Sequence, residues 1–200
     1  MNKWKSDGNE KLWTYKGYEL SIKRTPAPMQ HLCGYIEIKD DHPWFGQVDE
    51  SITVHGGVTF SGFNGDVWRL GFDCAHFGDL MPGMVETFGD LLNQQTYRDM
   101  EFVQKECESL ADQAEIAFIK ETRKKISAAA DLHYWQYGKN PSNFNSMLLT
   151  LLQKSDPSNR HKISKMWPEL YAAWQEWNET ASQDEYFARY GLPLNGNGYS

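Results

Sequence analysis

LWTYKGYELSIKRT, residues 12 to 25, places Lys16 and Gly17 between two runs rich in aromatic and β-branched side chains, which predicts a β-hairpin. Pro26 and Pro28 then force a loop. LCGYIEIK, residues 32 to 39, alternates Leu, Gly, Ile and Ile against Cys, Tyr, Glu and Lys, giving another strand. After the turn chemistry of DDHPWFG, two more short strands are expected over Ser51 to Phe60 (SITVHGGVTF) and Val67 to Asp73 (VWRLGFD). Gly56, Gly57, Gly62 and Gly65 interrupt or separate them. From about Tyr97 the period changes. Met100, Val103, Cys107, Leu110, Ala111, Ala114 and Phe118 recur at three or four residues, an amphipathic helix that extends as far as Ile126 through the basic run KETRKK. Strands first and helix after give an α+β fold: a small antiparallel or mixed sheet packed with a long amphipathic helix, followed by a small all-helical module.

The expected division is a core domain over 1–130, a joint over 131–142 marked by Gly138, Asn140 and Pro141, a helical module over 143–190 and a flexible tail over 191–200. Within the module NFNSMLLTLLQK reads as a short helix, Asp156-Pro157 as an N-cap with proline at the first helical position, and Pro168 as the first turn of another helix. Leu170, Tyr171, Trp174 and Trp177 fall on one side of that last helix, a stripe that serves either as core or as a partner surface. With 40 % hydrophobic and 14 % aromatic residues, the chain is not a disordered one. Its three cysteines, Cys33, Cys74 and Cys107, share no C-x-x-C spacing, which argues against a disulfide framework and for a reducing, cytoplasmic setting. No apolar run approaches the roughly 18 residues a membrane span needs, and MNKWKSDGNEK lacks the apolar stretch of a secretory signal.

The net charge of -7 is concentrated. Residues 41–100 hold nine acids and two bases, Arg69 and Arg98, together with His42, His55 and His76. Such a segment favours a cation and opposes direct contact with a nucleic-acid backbone, which needs Lys and Arg to replace released counterions. A bound divalent ion would reverse that sign locally and admit an anionic ligand.

The densest reactive side chains lie in VHGGVTFSG, residues 54–62, and LGFDCAHFGD, residues 70–79. Three chemical readings compete. In the first, His55, Asp73, His76 and Asp79 ligate a divalent ion such as zinc, manganese or magnesium, which activates water or organises phosphate oxygens for phosphoester hydrolysis. In the second, Cys74 is a nucleophile whose thiolate is made by His55. In the third the same groups are structural: the histidines donate to backbone carbonyls, Asp73 caps the following turn and Cys74 fills space. A ligand pocket without turnover would use the same His and Asp groups, with Gly56, Gly57 and Thr59 as close-approach backbone, Trp68 and Phe72 to stack on a planar ring, and Arg69 for its polar edge. There is no Walker A loop, no G-x-G-x-x-G at a strand–helix junction, no G-x-S-x-G elbow and no zinc-finger spacing.

FDCAH resembles the DC-S-G signature of the NlpC/P60 cysteine peptidases, although Ala75 and His76 stand where that signature has Ser and Gly. A longer likeness runs from about Trp13 to Gln113. HGGVTFSG, the Trp-bearing strand leading to GFDCAHFGD, and YRDMEFVQKECESLADQ together resemble a family of small phage and prophage accessory proteins with HGG-[LIV]-T-[YF] and GFDCAH-x-GD motifs. SDPSNRHKISKMWPELYAAW, residues 155–174, looks like a helical module of the kind added to other phage proteins. The resemblance implies a cytoplasmic role in the infected host, including counter-defence. The expected partner is a small nucleotide-like ligand, bound or hydrolysed. The alternative is a host defence protein, inhibited without catalysis through the acidic face or the Trp-rich helices.

Overall fold

Residues 3–89 and 94–194 are described by the computed structural model. Strands β1 (Glu10–Tyr15) and β2 (Tyr18–Arg24) form the expected hairpin, with Lys16 and Gly17 both at positive φ (50° and 82°) in its two-residue turn. β3 (Leu32–Ile38), β4 (Phe60–Asn64) and β5 (Val67–Asp73) complete a wholly antiparallel sheet in the order β1-β2-β3-β5-β4. The fold is α+β, as read. A short helix α1 (Val85–Phe88) precedes α2 (Met100–Tyr137). Asp99 begins α2 by accepting from the Phe102 amide (2.8 Å).

One expected strand is absent. Residues 51–59 make no ladder, and β4 begins only at Phe60. Gly56 and Gly57 both sit at positive φ (68° and 85°), closing a turn in which the Gly57 amide bonds the Val54 carbonyl (2.9 Å). Helix side chains take over the role of a neighbouring strand. Gln113 accepts from the Thr53 amide (2.9 Å) and donates to the Thr53 carbonyl (2.8 Å).

The chain divides into two compact units, one ending at Phe118 and the other starting at Ile119, with α2 contributing to both. In the first, Leu20, Ile22, Leu32, Ile36, Ile38, Leu70 and Phe72 cover one sheet face and meet Val103, Cys107, Leu110, Ala111 and Ala114 of α2. This is the stripe whose spacing gave the helix away. Each large aliphatic side chain so buried contributes about 1.5–3 kcal/mol. Gly34 sets the approach of helix to sheet: a Cβ there would lie 2.5 Å from the Phe72 ring and 2.6 Å from Cys107 Sγ. His42 pins the loop after β3. The Trp44 amide donates to its Nδ1 (3.0 Å), so Nε2 carries the proton and donates to the Ala114 carbonyl (2.9 Å).

The second unit contains α3 (Phe144–Lys154), α4 (Pro157–Met166), α5 (Pro168–Glu179) and α6 (Gln183–Arg189). Asn143 and Asp156 cap α3 and α4 through their side chains, and Pro157 and Pro168 open α4 and α5 as the sequence indicated. Trp174 and Trp177 are buried with Leu149, Leu170, Tyr186 and Phe187, so the aromatic stripe is core rather than a surface for a partner. The expected joint at 131–142 contains the last turns of α2, where Leu132 is buried, and the turn to α3. The start of the expected tail is held: the Pro193 carbonyl faces His133 Nε2 at 2.7 Å and Leu192 packs on the core. Residues 195–200 of that tail lie outside the described residues. No helix among the described residues is long and apolar enough to cross a membrane.

Two outcomes test this packing. Gly34→Val, favourable to an isolated strand, should cost about 1–3 kcal/mol in urea unfolding because the new methyls collide with Phe72 and Cys107. Burial holds His42 below the ordinary histidine value of 6.5 despite its bond to Ala114. Its contribution to stability is therefore complete above pH 6.5 and is lost as pH falls through the depressed folded value. Thermal melting should show this acid slope, and His42→Asn should flatten it, with the slope due to His31 retained.

Candidate metal centre

Asp79 closes the turn after β5. Its carboxylate is buried, with 1 % of the side-chain surface exposed. Oδ2 accepts from His55 Nε2 (2.7 Å) and from the His76 amide (3.1 Å), and Oδ1 accepts from Arg98 Nε (2.8 Å). Burial pushes this carboxyl up, and the bonds from His55, Arg98 and the His76 amide outweigh that push, leaving it below the usual carboxylate range. Backbone pairing fixes the location. Asp79 bridges Thr96 in parallel, the Leu80 amide bonds the Thr96 carbonyl (2.9 Å), and the Thr96 amide bonds the Gly78 carbonyl (2.8 Å). That bridge delivers Arg98 to the site.

His55 arrives on the irregular 51–59 segment. Its amide donates to Glu106 Oε2 of α2 (2.8 Å), and its ring meets the Phe102 ring edge to face at 5.3 Å. The His76 ring stands perpendicular to it at 5.4 Å. His76 Nδ1 is buried and has no hydrogen-bond partner, lying 3.8 Å from both Asp73 Oδ1 and Asp79 Oδ2. Gly56 makes room for this ring, since a Cβ there would fall 1.9 Å from its Cε1. Ligand atoms of His55, His76 and Asp79 all lie within 4.8 Å of one another. Two imidazoles and a carboxylate at that spacing suit a divalent cation with an open coordination position.

The other expected site residues divide. Asp73 stands beside the cluster and caps its turn, accepting from the Ala75 amide (3.0 Å), as the structural reading anticipated. Cys74 packs in the core, where burial pushes its thiol well above the ordinary value and withholds the thiolate a nucleophile needs. Gly57 belongs to the His55 turn, and Thr59 is exposed, its amide bonded to the Gly71 carbonyl (2.9 Å). Trp68, Arg69 and Phe72 are spread elsewhere. Trp68 packs on Phe63 and donates to the Gln47 carbonyl (3.2 Å), Phe72 is in the core, and Arg69 pairs with Glu37 over the Tyr35 ring. Strand alternation sends Arg69 and Phe72 to opposite faces of β5.

Three participants were not anticipated. Arg98 was visible only as one of two bases in an acidic stretch, Glu106 as one more charge on a helix flank, and His31 not at all. Burial lowers the His31 pKa, opposed by the charges of Asp73 and Asp79. The Arg98 guanidinium lies over the Phe102 ring at 4.8 Å, and its two terminal nitrogens reach no acceptor among the described residues.

Gly56→Ala and Gly57→Ala form a matched pair. Both impose positive φ on alanine, at about 1–2 kcal/mol each, but only the first collides with His76, the Gly57 position having nothing within 4 Å. Gly56→Ala should therefore lower the melting temperature further and shift the His76 imidazole resonances, whereas Gly57→Ala should leave those resonances in place. The chain matches no protein-family model, no curated protein and no solved structure.

Proposed function

We propose that His55, His76 and Asp79 hold a divalent cation, and that through it the protein binds a small phosphorylated or nucleotide-like ligand and hydrolyses its phosphoester. The observation that supports this most directly is the buried, unpartnered His76 Nδ1 beside two carboxylates and a second imidazole. A ring nitrogen left without a hydrogen-bond partner in such a place is costly, and a cation would satisfy it in its unprotonated form. The separation of 3.8 Å is too long for a hydrogen bond and compatible with two ligand atoms each about 2.1 Å from one metal ion. The ligand chemistry favours zinc or manganese over magnesium, which prefers oxygen.

Arg98 gives the site its taste for anions. With Nε tied to Asp79 and the terminal nitrogens free of acceptors among the described residues, the guanidinium is fixed for a phosphate arriving at the cation. A cation held by His55, His76 and Asp79 would supply Lewis-acid activation of water for displacement at phosphorus, in which the ester P–O bond would break and a water proton would pass to the departing oxygen. The resemblance to phage and prophage accessory proteins supplies the setting, a counter-defence role in the host cytoplasm.

A non-catalytic inhibitor of a host defence protein is the second reading. Charge separation favours it, since the first unit holds nineteen acids and ten bases and the second eight and ten. It would act through the acidic surface, because Trp174 and Trp177 are buried. That same acidity opposes direct nucleic-acid binding.

His76→Ala tests the proposal without removing the buried hub. Calorimetric titration with zinc and with manganese should show one site per chain, weakened by about 100-fold or more in the variant. A nucleotide panel incubated with the metal-loaded protein, then recovered by heat denaturation, should return cleaved products by mass spectrometry. Intact ligand would reduce the reading to sequestration. Absence of binding by both metals, or an affinity unchanged in His76→Ala, would sink it.

A further inference from the structure

A cavity of about 530 Å³ opens between Trp4 and Lys5 of the N-terminal turn, Pro28 and Gln30 of the loop after β2, and Pro82 ahead of α1. It shares no lining residue with the His55 centre. Its volume falls in the range, about 300–1,000 Å³, of pockets that hold small organic ligands. Its charge is out of keeping with its surroundings: among the described residues Lys5 and Arg24 line it and no carboxylate does, in a unit with nineteen acids and ten bases.

Arg24 is immobilised without being neutralised. Its Nε donates to Asn9 Oδ1 (3.0 Å), one terminal nitrogen to the Gln30 carbonyl (2.9 Å), and the other to the Gly8 carbonyl (3.1 Å) and the Tyr97 hydroxyl (3.0 Å). Four of its five N–H groups therefore end on uncharged oxygens. Asp7 is reached through Tyr97, whose hydroxyl donates onward to Asp7 Oδ2 (3.0 Å). A fixed cation held by neutral acceptors in a concave wall attracts an anion with little reorganisation. Lys5 is exposed and makes no ion pair among the described residues, adding a second, mobile charge at the same cavity. Trp4, steadied edge-on against Tyr97 at 5.9 Å, offers an indole, and Pro28 and Pro82 offer apolar walls.

We infer that this cavity is a second binding site, for a small organic anion carrying a planar group, with the anionic end at Arg24 and Lys5 and the planar part against Trp4. Phosphate monoesters and aromatic carboxylates share that chemistry, and the test separates them. The full-length, metal-free protein is titrated calorimetrically with AMP, with 4-hydroxybenzoate and with adenosine as the uncharged control. At least one of the two anions should bind, adenosine should bind about tenfold more weakly than AMP if the phosphate is the preferred head, and Lys5→Glu should weaken the bound anion by about tenfold or more. Trp4→Ala should weaken it too, and His76→Ala should leave it unchanged, which separates this site from the His55 centre. Lys5 is exposed, so its replacement leaves the fold intact, as a melting curve would verify. Failure of both anions to bind at millimolar concentration overturns the inference. So does an affinity indifferent to Lys5→Glu, or one lost in His76→Ala alone.

Discussion

A carboxylate taken out of water must be given hydrogen-bond donors, or the cost of burying its charge, several kcal/mol, falls on the fold. Asp79 collects its donors from three separate stretches: the His55 ring, the His76 amide in its own turn, and the Arg98 side chain ahead of α2. The 51–59 segment has no strand ladder to hold it. Side chains place it instead: Asp79 and Glu106 hold His55 by its ring and by its amide, and Gln113 holds Thr53. Order in the candidate site and order in this part of the fold are thus one property.

That double role explains why structural and functional readings of the same residues coexist. The contacts of Asp79 are accounted for by its burial alone. Asp73 likewise does the work of a turn cap. What burial does not account for is the ring nitrogen of His76, aimed between two carboxylates with no proton acceptor or donor in reach. The case for chemistry rests on that atom, with Arg98 beside it.

The sequence was most legible where a local period met a single environment. The hairpin around Lys16-Gly17, β3, β5 and the α2 stripe each bury one face against one core, so period and structure agree. SITVHGGVTF failed as a strand because β-branched residues signalled a ladder whereas the two glycines supplied positive φ, and helix side chains took up the backbone groups instead. Two glycine-flanked motifs put His55, Asp73, His76 and Asp79 forward together; the structure gathers His55, His76 and Asp79, with Asp73 beside them as a turn cap. Arg98 and Glu106 could not be reached that way, because their relevance is created by a bridge to Thr96 and by the docking of a helix flank. Trp68, Arg69 and Phe72 were grouped with the site for nearness in sequence, whereas the two-residue period of β5 sends Arg69 to the face opposite Trp68 and Phe72, and each finds partners elsewhere. The helix α6 went unread because seven residues are too few for a period to declare itself; Ser182 at its cap was the available signal.

The strand order β1-β2-β3-β5-β4 has a bearing on how the molecule is assembled. β1, β2 and β3 are successive neighbours and can zip by local steps, whereas β5 reaches β3 only after the chain has looped out through the whole of 39–66. Closing that loop costs entropy before any pairing rewards it. The looped-out residues include His42 and His55, whose anchors on α2 come later still in the chain. A nascent polypeptide therefore emerges with a finished three-stranded meander and a long unanchored excursion, and the reactive side chains acquire their geometry only when α2 has been synthesised and laid across the sheet.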